Sequence, residues 1–580
     1  MATSESILTL CIALYGEKEG PVVEARIGRL MERYAQVLPP GQAGQRAALT
    51  QRDAMLITYG DQVQQAGVAP LHSLANFCAQ TLSGLVSGVH ILPFYPYSSD
   101  DGFSVIDYKL VDPALGSWDD VARLGQSFRL MFDAVINHVS VRSAWFQAFL
   151  HGDPRYNSYF ITFDGSPDLS QVVRPRALPL LTRFETAGGS KSVWTTFSTD
   201  QVDLNFHNPS VLLEILDVLL FYAAREAEFI RLDAIAYLWK QIGTSCIHLP
   251  QTHAVIRLFR AVLDRVAPRV SLITETNVPH PDNISYFGDG ANEAQLVYNF
   301  ALPPLVLHSL RTGSGAALSQ WASRLAAPSP QTAFFNFLAS HDGIGLNPAR
   351  GILSGAEIDA LVQGTLAHGG LVSYKDNPDG GQSPYELNIN YFDALSDPRA
   401  AEDLTLQVDR FMAAQAIMLA LAGLPGIYFH SLFGSRGWPE GVRQTGRNRS
   451  INRQKLERAA LERELDDRAS RRGLVFEGFS RLLRARASSA AFHPCGGQRV
   501  LDSGEGVFGL LRTSPDGREW AVCLHNLTAQ PQPASISVGG IPGLESFSWV
   551  ESTGTEGPKK KSGEPVLLKP YQIQWWVCKS

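Results

Sequence analysis

The sequence predicts an α/β protein: a (β/α)8 barrel of the TIM type with two loop-insertion subdomains on the face where its strands end, followed by a small C-terminal antiparallel β domain. Three observations predict it. Apolar runs alternate with helical stretches eight times between residues 53 and 490, and eight parallel strands close such a barrel. Four of the runs end on a carboxylate or histidine: residues 130–138 with Asp133 and His138, 229–237 with Arg231 and Asp233, 271–277 with Glu275, and 335–342 with His341 and Asp342. That is where a (β/α)8 barrel gathers its polar groups. After residue 490 the pattern shifts to short alternating runs, at 507–511, 520–524 and 571–576, which reads as antiparallel sheet.

In chain order, residues 1–52 read as a helical N-terminal extension, apolar at helical spacing between Val22 and Val37 and broken at Pro39, Pro40 and Gly41. It is expected to pack against the barrel. The strands are read at 55–59, 89–93, 132–135, 229–232, 272–274, 296–300, 334–338 and 426–429. Two connections, 139–199 and 343–398, are too long for ordinary βα loops, and insertions at those places sit over the strand ends. The second is rich in Gly, Asn, Asp and Pro around 375–382, which predicts a mobile lid or acceptor loop. Residues 454–488 read as helical and 491–580 as the β domain. Gly313 and Gly315 do not follow a strand in a dinucleotide-binding pattern and read as a helix-capping turn.

Composition excludes several classes. Of 580 residues 45% are hydrophobic and 18% charged, the balance of an ordinary globular protein. The net charge of −6, from 50 Lys and Arg against 56 Asp and Glu, leaves no basic field for nucleic acid or an anionic membrane. Lys559, Lys560 and Lys561 read as a solvated turn. Six dispersed cysteines without a C-x-x-C spacing argue against a zinc site and for reduced thiols in a cytosol. No run approaches the roughly 18 apolar residues of a membrane span. The apolar stretch 7–15 has no basic residues before it and is followed by Glu17, Lys18 and Glu19, unlike a signal peptide. A cytoplasmic protein is expected.

The chemistry is read from the carboxylates. Arg231 and Asp233 lie two apart, on one face of a strand, and buried charges are costly unless they pair or work. Asp233, Glu275 and Asp342 end three different strands and can converge. Retaining glycosyl transfer needs two carboxylates about 5 Å apart, one ionised to attack the anomeric carbon and one protonated to release the leaving group. Arg231 favours the ionised form of Asp233, as a nucleophile requires. Glu275 has no neighbouring cation in sequence and suits the acid/base role.

Between Tyr59 and Arg453 these runs resemble the four signature regions of the α-amylase superfamily. The phrases LPFYPYSSDDGF at 92–103, GSWDD at 116–120, GTSC at 243–246, FALPP at 300–304 and INR at 451–453 resemble its sucrose-phosphorylase branch. CIHL at 246–249, TETNVPH at 274–280, DNISYFG at 282–288, NPD at 377–379 and SPYE at 383–386 are similar to the glucosylglycerate phosphorylases within it. The resemblance implies the same roles for Asp233 and Glu275. It makes Asp342 the carboxylate that holds ring hydroxyls and stabilises the transition state, and His138 and His341 hydroxyl ligands. Asp100 and Arg449 would form a salt bridge closing the far end of a single-glucose pocket, with Phe103 and Tyr237 as its aromatic wall. Arg174, Arg176 and Tyr385 would serve phosphate. Glu386 stands where sucrose phosphorylases usually have Gln, which argues against sucrose.

The implied reaction is phosphorolysis of a small α-glucoside, best matched by glucosylglycerate, to α-glucose 1-phosphate. Phosphate is the co-substrate, with no cofactor and no metal, and the partners are small molecules only. The state is expected to be monomer or homodimer. Sucrose, sucrose 6'-phosphate and glucosylglycerol phosphorylase, and a retaining α-glucosidase or transglycosylase, stay open as alternatives. An acceptor carboxylate would need a cation or several amide and imidazole donors, and the loop after Glu275 offers Asn277 and His280, with His248 a weaker candidate.

Overall fold

The computed structural model describes residues 5–175, 179–377, 381–536, 548–554 and 558–580. Its centre is a closed barrel of β1 (Met55–Thr58), β2 (Gly88–Ile91), β3 (Arg129–Ala134), β4 (Ala227–Leu232), β5 (Ser271–Thr274), β6 (Leu296–Tyr298), β7 (Ala333–Asn336) and β8 (Leu424–Tyr428). Each strand pairs in parallel with its sequence neighbours, and β8 closes on β1. The expected fold class is the observed one. Strands buried on both faces cannot alternate polar and apolar residues, which is why these read as plain apolar runs. Register then places the polar exceptions: Arg231 on β4 lies beside Asp133 on β3 and Ile273 on β5.

The N-terminal helix α1 runs Ile7–Ala35, with a kink at Gly16, whose φ is 81°. It packs on α2 (Pro209–Ala224) and α3 (Pro250–Val266), two helices of the barrel's outer ring. Its buried side chains Ile7, Leu10, Cys11, Val23 and Ile27 are part of the main core. Tyr15 Oη donates to the Phe206 carbonyl and Tyr34 Oη to the Asp217 carbonyl, each at 3.0 Å.

The first insertion holds a three-stranded antiparallel sheet of Thr162–Phe163, Gly189–Trp194 and Leu181–Thr186. A second ladder, His138–Ser140 with Gln201–Asp203, ties the insertion to the end of β3. The second insertion forms a sheet of Ile344–Gly345, Gln382–Asn388 and Leu371–Asp376, with the helix Gly355–Ala367 beside it. Within the stretch around 375–382, Lys375 and Asp376 pair with Ser383 and Gln382 as antiparallel strands, and residues 378–380 lie outside the described residues.

Residues 454–488 hold the helices Arg458–Asp466 and Arg471–Ala487. Beyond them lies a six-stranded antiparallel sheet. Two buried arginines anchor this region: Arg486, on the helix Arg471–Ala487, donates Nη1 to the Asp53 carbonyl at 2.9 Å, and Arg512, on a strand of the sheet, donates Nη1 to the Ala420 carbonyl at 2.7 Å. Lys559–Lys561 is not a turn but the edge strand of this sheet, paired with Ser548–Glu551. Lysines at an exposed edge discourage further strand pairing. Gly313, with φ 72°, ends the helix Leu302–Thr312 as a left-handed cap. Among the described residues, no helix is long and apolar enough to cross a membrane.

Candidate active site

The strand ends bring the predicted carboxylates to one cleft. It is lined by Asp233, Glu275 and Asp342 with Asp100, Phe103, His138, Tyr237, Asn277, His341, Tyr385 and Arg449. Arg231 lies beneath it, 2% exposed. Its Nη1 donates to Asp233 Oδ1 at 2.9 Å and also to Asp133 Oδ1, while Nη2 stands 4.0 Å from Glu275 Oε2. Glu275 Oε2 accepts the Ala234 N–H at 3.0 Å, and Ala234 holds a left-handed φ of 48°. One guanidinium thus serves three carboxylates, with Asp233 favoured over Glu275 by distance.

Burial changes the electrostatics read from sequence. It raises both the Asp233 and Glu275 carboxyls despite Arg231, and neighbouring carboxylates push the same way. Two interacting carboxyls share their protons and titrate as a pair. Within the pair, the 2.9 Å hydrogen bond to Asp233 against 4.0 Å to Glu275 favours the charge on Asp233 and the proton on Glu275. Asp342 goes the other way. Against the cost of burial, Arg449, His341 and Arg453 hold it well below the usual carboxylate range.

The far end of the cleft departs from the expected salt bridge. The close contacts of Arg449 are with Glu386 and Asp342, and Asp100 acts on it from further off. Arg449 Nε and Nη2 grip Glu386 Oε1 and Oε2 at 3.0 and 2.7 Å, and its Nη1 lies 2.5 Å from Asp342 Oδ1. A carboxylate at 386 makes this two-pronged capture possible, which is the physical reason for the difference. The Gly343 N–H donates to Glu386 Oε1 at 2.5 Å. A Cβ at Gly343 would stand 2.6 Å from Glu386 Cγ, so that approach needs glycine. Arg453 pairs with Asp101 at 2.5 Å and comes within 4.0 Å of Asp100. Asp100 and Asp101 both have left-handed backbones, at φ 56° and 49°, a strain found where a loop is fixed for function.

The ring of Phe103 stacks on His341 with centroids 4.6 Å apart and planes 4° from parallel. Burial pushes the His341 imidazole down to about 3, so the ring is neutral, and its Nδ1 is a buried atom without a protein partner. His138 is different. Its Nε2 faces the Phe103 carbonyl at 2.9 Å and its Nδ1 the Asn137 amide at 3.3 Å. Both nitrogens are engaged, so His138 lines the cleft as a ring and is not placed as the hydroxyl ligand expected. Lys240, Asp203 and Asn137 fix it from behind: Lys240 Nζ pairs with Asp203 at 2.5 Å and donates to Asn137 Oδ1 at 2.7 Å. Tyr237 meets Phe197 edge to face at 5.5 Å.

Asn277 reaches the cleft beside Glu275 with Oδ1 buried and unpartnered. His280 does not. Its ring packs at 6.2 Å from both Phe334 and Trp321, away from the cleft-lining residues, because the chain turns into the helix His280–Ile284 right after Pro279. His248 donates to or accepts from Tyr286 Oη at 2.7 Å, also off the cleft. Arg174 is exposed and does not line it, and Arg176 lies outside the described residues. Pro175, between them, does line it. Sequence reasoning missed His90, Asn137, Phe197 and Gln201. His90 was the one with a signal, as a lone polar residue inside the apolar run 89–93.

Comparison with known proteins agrees with this geometry. Residues 82–343 match the family model of the α-amylase catalytic domain. A glucosylglycerate phosphorylase from Spirochaeta thermophila is 50% identical over 571 residues, covering 97% of this chain and 96% of the relative. One from Allomeiothermus silvanus is 50% identical, covering 99% and 98%. Among solved structures, sucrose 6F-phosphate phosphorylase from Thermoanaerobacter thermosaccharolyticum superposes with a TM-score of 0.73 at 25% identity, over 89% of this chain and 99% of that one.

Proposed function

Since the chain belongs to the glucosylglycerate phosphorylase family, in the sucrose-phosphorylase branch of the α-amylase superfamily, we propose that it catalyses the reversible phosphorolysis of glucosylglycerate to α-D-glucose 1-phosphate and D-glycerate. It is a glycoside phosphorylase, a hexosyltransferase. The observation that carries this reading is identity of one half along nearly the whole chain with glucosylglycerate phosphorylases, joined to a donor pocket ending at the Arg449–Glu386 clamp.

In the proposed mechanism, Asp233 attacks the anomeric carbon while Glu275 gives its proton to the departing glycerate oxygen. A phosphate oxygen then attacks the anomeric carbon from the face the glycerate left, the ester bond to Asp233 breaks to free its carboxylate, and the proton of the hydrogen phosphate returns to Glu275, so configuration is retained. Asp342 holds ring hydroxyls, and its depressed carboxyl stays charged through the cycle. Phe103 stacked on His341 offers an apolar wall for the C–H face of the glucose. Phosphate enters as co-substrate, with Tyr385 on the rim and Arg176 assigned to it by the family resemblance. A cytoplasmic location belongs to the same reading, supported by six free cysteines of the kind kept in a reducing compartment.

The test is the reverse reaction: α-glucose 1-phosphate offered with glycerate, glycerol, fructose and fructose 6-phosphate, with phosphate release as readout. Glycerate is expected to lead the others by roughly tenfold to a hundredfold in kcat/KM, the worth of one charge-assisted contact of about 1.5–3 kcal/mol. Equal use of glycerol or fructose would defeat the acceptor assignment and leave the phosphorylase chemistry standing.

A second prediction concerns Asn277. A Cβ at Gly345 would stand 2.7 Å from the Asn277 amide, so Gly345→Ala must push that amide out of place. The expected result is a rise of about tenfold in the KM for glycerate, with the KM for glucose 1-phosphate nearly unchanged. Equal rises in both would show that Asn277 does not serve the acceptor.

A further inference from the structure

His90 is a titratable group that the proposed mechanism does not use. It lies on β2, fully buried, with its Nε2 2.7 Å from Asp133 Oδ2. A carboxylate only accepts at this separation, so Nε2 carries the hydrogen. His90 Nδ1 has no protein partner, so its one hydrogen bond is the Nε2–H to Asp133.

The other oxygen of Asp133 takes Nη1 of Arg231, and that same nitrogen donates to Asp233 Oδ1 at 2.9 Å. That nitrogen carries two hydrogens, one for each carboxylate, so the position of the guanidinium is a balance between the pulls of Asp133 and Asp233. Asp133 is fully buried and, against the cost of burial, Arg231 and His90 hold it down to about 2. It is a permanent anion and a strong competitor. Whatever else neutralises Asp133 leaves more of Arg231 for Asp233.

We propose that His90 is a positioning residue for the nucleophile: its hydrogen bond to Asp133 occupies that carboxylate and so keeps the Arg231 guanidinium shared with Asp233. An apolar residue would fill the same space but leave Asp133 Oδ2 without the His90 donor. The charged and titratable groups around the relay are Asp133, Arg231, Asp233, Glu275, Tyr95, Tyr222, Tyr298, His341, Asp342 and Arg453. Of these, Asp133 is the one His90 touches by hydrogen bond. The inference rests on the reading of Asp233 as nucleophile.

The experiment compares His90→Met, His90→Asn and His90→Gln in the full chain. It measures kcat/KM for phosphorolysis of glucosylglycerate across pH, with circular dichroism and Tm as folding controls. Gln can place its Nε2 near that of His and is expected to stay within about threefold of the parent. Met has no donor, and the amide of Asn is too short to reach Asp133. Both are expected to lose roughly tenfold to a hundredfold, the range for one hydrogen bond to a charged group. Their acid limb should also move to higher pH, because Asp233, less supported by Arg231, needs higher pH to ionise. A loss equal in all three variants with the parent's pH profile would overturn the proposal and leave His90 as packing. So would folded Met and Asn variants with parental activity. Should Met not fold, Asn and Gln decide alone. An active Asp233→Asn would instead sink the nucleophile reading itself, so the two failures are distinct.

Discussion

Asp233→Asn is expected to lower glucosyl transfer by at least about three orders of magnitude, roughly 4 kcal/mol of barrier. An amide cannot form the glucosyl ester on which both half-reactions depend. The fold should survive, because the amide keeps the volume of the side chain and its oxygen can still accept from Arg231 Nη1, now at 2.9 Å from Asp233 Oδ1. Substituting an amide also removes a negative charge from a site where burial already raises the Asp233 carboxyl, so Tm should hold or rise while activity falls. The measurement is phosphate-dependent release of glycerate together with mass spectrometry of the denatured enzyme after mixing with donor. The parent should carry a glucosyl adduct and the variant none. A variant within tenfold of the parent would falsify the assignment of Asp233.

Much of this site was legible because its parts sit at strand ends, where short segments suffice. Arg231 and Asp233 share one strand face, and Glu275 and Asp342 each follow an apolar run. What was not legible depends on contacts between distant segments or on burial. The clamp of Arg449 on Glu386 joins residues 63 apart in sequence, and no local pattern showed that Glu386 would be the close partner. The neighbour of Asp233 was visible and its burial was not, so Arg231 was read as the controlling influence when desolvation is the larger one. His280 follows Glu275 closely, yet proximity in sequence does not say which side of the barrel wall a ring takes, and Phe334 and Trp321 claim it. The lysines at 559–561 failed for another reason: a solvated turn and a protected edge strand have the same composition.

Glu275→Gln separates the two ends of the reaction. Glycerate leaves as an alkoxide unless protonated, so loss of the acid should cost about a hundredfold to ten-thousandfold on glucosylglycerate. Phosphate is a good leaving group and already an anion when it attacks, so formation and breakdown of the glucosyl ester from glucose 1-phosphate need little help from Glu275. The variant should therefore retain exchange of labelled phosphate into glucose 1-phosphate at a rate close to the parent's, while synthesis of glucosylglycerate from the same donor collapses. The pH dependence follows with its sign. Burial raises the Glu275 carboxyl, with Arg231 opposing and Asp342 reinforcing, so in the parent the proton is available up to that raised value. Above it, phosphorolysis of glucosylglycerate falls as the acid is lost. In the variant, phosphate exchange should lack the part of the alkaline limb that Glu275 sets, leaving only the titration of phosphate itself. Parallel loss of exchange and synthesis would show that Glu275 supports the ester chemistry as a whole and is not the proton donor to the acceptor oxygen.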